Sequence, residues 1–226
     1  MWKYRLILTI LSAAATSFAQ AKTLIVTHAD RRYDEAAVAG PATRDLLSDP
    51  SFSRKLFLVV DKLSEGYTLD LNGLDFTSVP SSGGELKWDD SDNDLTVAGG
   101  YFDACLQLTV WQLIIQSKQN LSIWIDMKAT YVLMSWPTGF KDKDTKLMQA
   151  LVDAKEYWGP PKTLARVEEV LNAIHRPDAF ERSLQFYVHQ MDRVEARDTN
   201  VVIKLHGRVV GEFGHGRKRV VQIDLI

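Results

Sequence analysis

The chain has 226 residues, with 27 Lys and Arg against 29 Asp and Glu, a formal charge of −2. That balance gives no reason to expect nucleic acid as a partner. A single cysteine, Cys105, excludes an internal disulfide, so the fold must be held by its apolar core.

Residues 1–21 read as a secretory signal peptide. Lys3 and Arg5 charge the start, residues 6–18 are apolar, and Ala19-Gln20-Ala21 has the A-x-A form of a cleavage site. The apolar run is too short for a comfortable membrane span, and no later stretch approaches one. The expected mature chain begins at Lys22, carries 25 basic and 29 acidic residues, and is exported, periplasmic or secreted. It is expected to have no integral membrane segment and no nucleic acid among its partners. A small molecule or an envelope protein remains.

From Lys22 the pattern alternates strand and helix. Residues 23–27 (TLIVT) predict a buried strand, followed by the polar cluster His28-Ala29-Asp30-Arg31-Arg32. Polar residues directly after a buried strand fall at the carboxyl edge of an open α/β sheet, where such folds keep their sites. Residues 34–47 predict a helix that starts or kinks at Pro41. Residues 55–61 (KLFLVVD) predict a second strand ending at Asp61.

Residues 64–94 are irregular, with possible short strands at 67–71 and 85–88. Asp90, Asp92 and Asp94 copy the first three positions of a calcium loop. Leu95 and Tyr101 then stand where that loop needs a glycine and a bidentate glutamate, so the expectation is a solvated turn and no metal. Helices are predicted over 144–157, 162–174 and 177–191. The tail, 201–225, reads as short alternating runs, as in a half-exposed antiparallel ribbon.

The most informative stretch is residues 95–127. An apolar run ends at Gly99-Gly100, an almost wholly apolar helix follows to about Gln116, and a β-rich run returns at Leu121. This strand, glycine turn, helix and strand define a βαβ unit. Cys105 lies in the first turns of its helix, where unpaired N–H groups and the macrodipole favour a thiolate.

The spacing V-A-G-G-Y-F-D-A-C-L-Q-L-T resembles the nucleophile segment of the isochorismatase-like cysteine hydrolases. Gly99 lies six residues before Cys105, Asp103 two before it and Thr109 four after it, and Asp126 ends the next strand. The likeness covers residues 95–129. It implies an amide or ester hydrolase in which Cys105 is the nucleophile, an aspartate after the first strand the base, and a lysine the group that lowers the thiol pKa. Asp30 is the candidate base and Lys87 the candidate lysine, with Lys62 behind it. The chain departs from that family where Thr27-His28-Ala29 intervene before Asp30, where Lys87 lies close to Cys105 in sequence, and where the metal-binding Asp-x-His pair is absent.

The expected fold is therefore α/β, a mainly parallel sheet flanked by helices in three layers, with a C-terminal helical segment and an antiparallel β-ribbon. Residues 22–140 would form the α/β core, with 141–226 as helices and ribbon packed on it. Two functional readings follow. One is a non-catalytic exported protein that binds a ligand or partner at the carboxyl edge of the sheet, through His28, Asp61, Gly99 and Gly100. The alternative is an exported cysteine-dependent hydrolase using Cys105, Asp30 and Lys87. Neither calls for a cofactor.

Overall fold

The structure, a computed structural model, describes residues 22–29, 36–60, 71–132, 144–156, 160–191, 198–214 and 218–226, with backbone alone over 185–191. The expected leader, Asp30, Asp61 and Lys62 lie outside the described residues. The first half runs β1 (Lys22–Thr27), α1 (Ala36–Ser48), β2 (Phe52–Val59), β3 (Thr77–Pro80), β4 (Asp94–Gly99), α2 (Cys105–Gln116) and β5 (Leu121–Ile125). The second runs β6 (Tyr131–Val132), α3 (Thr145–Asp153), β7 (Lys162–Thr163), α4 (Leu164–Ala173), α5 (Pro177–Met191), β8 (Thr199–Leu205), β9 (Arg208–Phe213) and β10 (Arg219–Leu225).

Eight strands form one sheet in the order β3-β2-β1-β4-β5-β10-β8-β9. Every neighbouring pair is parallel except β8 and β9, which are antiparallel. Buried parallel strands must be covered on both faces, and β1 and β2 show how the residues divide. Ile25, Leu56 and Leu58 join the core that contains Leu106 and Val110 of α2. The alternate residues Leu24, Val26 and Phe57 pack instead with Leu47 of α1. This is the three-layer α/β architecture that the alternating elements predict.

Three local expectations change. Residues 85–88 are not a strand, and β3 lies earlier, as a short half-exposed edge that ends on Pro80. An edge position tolerates the missing proline N–H, but its weak pattern hides the strand in the sequence. Pro41 does not start α1; it lies inside the helix, the place the alternative expectation of a kink gave it. Pro41 and Ala37 are both exposed, so the carbonyl left without its donor faces water.

The third change concerns the tail. Only β8 and β9 make the antiparallel ribbon, turning at His206 (φ 49°) and Gly207 (φ 77°), the paired positive φ of a two-residue hairpin. β10 instead inserts between β5 and β8, parallel to both, and continues the core sheet. Its Val221, Ile223 and Leu225 are buried, and so is Asp224, whose Oδ1 accepts the Gly207 amide at 3.0 Å.

Helix α3 is fastened to α5 through Asp144. Its Oδ1 caps α3 by accepting the Leu147 amide at 2.9 Å, while Oδ2 takes Arg176 Nη2 at 2.5 Å and Arg182 Nη2 at 3.1 Å. These donors, Arg176 foremost, hold the carboxyl at a pKa of about 2, down from 3.8. A depressed carboxyl contributes stability above its unfolded pKa and loses it as pH falls through the folded one. Asp144→Asn keeps a capping oxygen and removes the charge, so it should cost about 1 kcal/mol at neutral pH. Urea titrations should show that deficit shrinking as pH falls from 3.8 toward 2.

Candidate functional site at the carboxyl edge

β1 leads through α1 to β2 on one side, and β4 leads through α2 to β5 on the other. The carboxyl ends of β1 and β4 therefore form a topological switch point, the usual crevice of an open α/β sheet. Thr27 and Gly99 are register partners there. Gly99 has φ 76°, and a Cβ on it would stand 2.4 Å from the Thr27 carbonyl oxygen. Gly100, at φ 62°, lies so near the helix start that its Cβ would be 2.9 Å from the Cys105 sulfur. Only glycine fits this double left-handed turn. It delivers the chain to Tyr101 and then to Cys105, the first residue of α2.

Cys105 is 9% exposed, and its Sγ accepts the Tyr101 amide at 3.2 Å. Burial pushes the thiol pKa above its ordinary 9.0, and the nearby Asp103 carboxylate adds to the rise. The amides of Tyr101, Leu106 and Cys105 act the other way without overcoming burial. Asp103 itself presents surface to solvent, yet the protein mass around its carboxyl raises that pKa as well. The thiol therefore keeps its proton, contrary to what a helix N-terminus alone predicts. The Tyr101 amide is engaged by the sulfur, and the Phe102 amide by the Tyr131 carbonyl at 3.0 Å.

Lys87 is not brought to Cys105. The segment from Gly84 to Asp89 runs along α2 toward its far end and is fastened at several points. The Gly84 carbonyl accepts the Thr109 hydroxyl at 2.9 Å, the Leu86 carbonyl accepts Gln116 Nε2 at 2.6 Å, and the Trp88 amide donates to Gln116 Oε1 at 2.7 Å. Arg54 of β2 then lies over the Trp88 ring at 5.4 Å and pairs with Asp89 at 3.1 Å. Leu86 and Trp88 turn inward, so Lys87 between them is exposed. Gln116 lies eleven residues beyond Cys105, about 16 Å along the helix.

The residues that do converge on Cys105 are Gly99, Gly100, Thr27, Thr109 and Gly84. The Thr27 and Thr109 hydroxyls are 3.1 Å apart, and Thr109 also reaches the Cys105 carbonyl at 3.1 Å. Thus the side chain at the end of β1 that faces α2 is a threonine bound to another threonine. Thr109 belongs to the recognised spacing, but the roles of Thr27 and Gly84 carry no local signal. His28 is buried at the same edge with φ 44°, and its Nε2 donates to the Ser81 carbonyl at 3.2 Å. Its own carbonyl accepts the Tyr131 hydroxyl at 2.6 Å, so His28 ties β1 to the chain on both sides.

The acids of the calcium-like run face different partners. Asp90 accepts the Ser117 hydroxyl at 2.6 Å, Asp92 the Asp94 amide at 3.1 Å, and Asp94 the Trp124 indole N–H at 2.7 Å. Among the described residues no three acids, histidines or cysteines are grouped to hold a metal ion.

Farther along the carboxyl edge, at the end of β8, a cavity of about 390 Å³ opens between α4, α5 and the β8–β9 hairpin. Sequence reading pointed to none of its residues. The one available signal was His206-Gly207 between two apolar runs, which marks the hairpin.

Comparison with family models, with curated proteins and with solved structures returns no match.

Gly84 tests how tightly the switch point is packed. At φ 91°, a Cβ there would stand 2.1 Å from the Cys105 carbonyl oxygen. Gly84→Ala should therefore destabilise the chain by about 3 kcal/mol, read as a lowered denaturant midpoint. A cost below about 1 kcal/mol would contradict this packing.

Proposed function

We propose that the chain is an exported, non-catalytic protein that binds a small molecule or an envelope partner at the carboxyl edge of its sheet. The state of Cys105 carries this reading. The sulfur is buried, accepts a backbone amide, and has its pKa raised, whereas nucleophilic catalysis needs a thiolate with a base at hand. Lys87, the candidate cation, belongs to the opposite end of α2, and Thr27 occupies the place at the end of β1 facing Thr109. The signal-like start of the sequence supports export.

The alternative is an exported cysteine-dependent amide or ester hydrolase similar to the isochorismatase-like enzymes, with Asp30 as base. It draws on the position of Cys105 as first residue of the helix after β4, beside a switch point.

Alkylation by iodoacetamide across pH separates the two. For the binding protein, native Cys105 should react at least about ten-fold more slowly at pH 8 than in the unfolded chain. Its apparent pKa should lie above 9.0. Rapid alkylation of the folded protein at neutral pH would favour the hydrolase and overturn the non-catalytic reading.

A further inference from the structure

We propose that the cavity at the end of β8 binds a small zwitterion of the amino-acid type with an apolar side chain. This rests on the binding reading above and names a ligand class for it. The cavity, about 390 Å³, is within the size range of small-molecule sites. It also lies at the carboxyl end of a parallel strand, where open α/β sheets place their ligands. Phe180, 1% exposed, and Leu205, 5% exposed, give it an apolar floor.

The rim separates charge by element. Glu168 on α4 and Glu181 on α5 make the helix side acidic, while the Arg208 guanidinium, beside the His206 imidazole, makes the hairpin side basic. The two sides meet in pairs across the mouth. His206 Nε2 lies 3.0 Å from Glu168 Oε2, and Arg208 Nη2 lies 2.5 Å from Glu181 Oε1. The His206 and Arg208 side chains are 55% and 62% exposed, so each pair contributes little stability and exchanges readily for a ligand charge. Each group also has capacity to spare, since a guanidinium carries five N–H donors and a carboxylate about four acceptor sites.

This arrangement selects against single charges. A simple anion drawn to Arg208 meets two carboxylates, and a simple cation drawn to the glutamates meets a guanidinium. A zwitterion satisfies both sides, its ammonium toward Glu181 and Glu168 and its carboxylate toward Arg208. An aliphatic side chain then covers Phe180 and Leu205, which a wholly polar zwitterion would leave wet.

Isothermal titration of the full mature chain with L-leucine tests the assignment. Isovalerate lacks the ammonium and isopentylamine lacks the carboxylate, and both should bind at least about ten-fold more weakly than leucine. Arg208→Gln and Glu181→Gln should each raise the leucine Kd by about ten-fold or more, with circular dichroism showing both variants folded. Absence of heat with leucine, equal binding of either analogue, or a Kd unmoved in both variants would overturn the proposal. Cys105 alkylation reads the non-catalytic role separately, so loss of leucine binding beside a protected thiol overturns this site alone.

Discussion

At the junction of β1, β4 and α2 the backbone comes closer to itself than any side chain permits. Gly99 rests on the Thr27 carbonyl, Gly100 on the Cys105 sulfur and Gly84 on the Cys105 carbonyl, each with a positive φ. Thr109 closes the same knot through its hydroxyl, shared among Gly84, Cys105 and Thr27. This close approach sets where α2 begins, how deep Cys105 sits, and which way the segment from Gly84 to Asp89 must run. Lys87 faces water because its neighbours are fastened to Gln116 and Arg54.

Two opposing effects act on the Cys105 thiol, and their sizes decide its state. A helix N-terminus favours a negative charge by about 0.3–1 kcal/mol, less than one pKa unit. Withdrawing an ion from water costs several kcal/mol unless a counter-charge or a full set of donors offsets it. At 9% exposure, with the Tyr101 amide as its hydrogen-bond donor and Asp103 nearby, the sulfur falls on the second side. A position suited to a nucleophile thus holds a protonated core thiol.

The carboxyl edge of the sheet is not uniform. At the switch point, His28, Ser81 and Tyr131 are buried and bonded to one another's segments. At the end of β8 the hairpin turns sharply at His206-Gly207 and meets α4 and α5 through His206–Glu168 and Arg208–Glu181, with the cavity and its acidic and basic walls between them. A polar-rimmed cavity therefore lies several strands away from the cysteine. A one-cysteine chain with no disulfide depends on the continuous core beneath both places.

Local chemistry was written plainly in the residues. TLIVT could only be a buried strand, Gly99-Gly100 demanded a tight turn, and the run from Cys105 to Gln116 had to be covered on most sides. Pro177 opened a helix at its first position, as φ restriction allows, and α5 spans Pro177–Met191 as the pattern indicates. Together these determine an α/β sheet with Cys105 at a helix start. The pairing of β10 between β5 and β8 was not legible, because an alternating strand carries its own faces but not the identity of its neighbours. Nor was the separation of Lys87 from Cys105, or the meeting of Glu168 with His206, 38 residues apart. Periodicity is a property of a few consecutive residues. Burial of a thiol and the convergence of charges come from segments distant in the chain, and only their packing decides them.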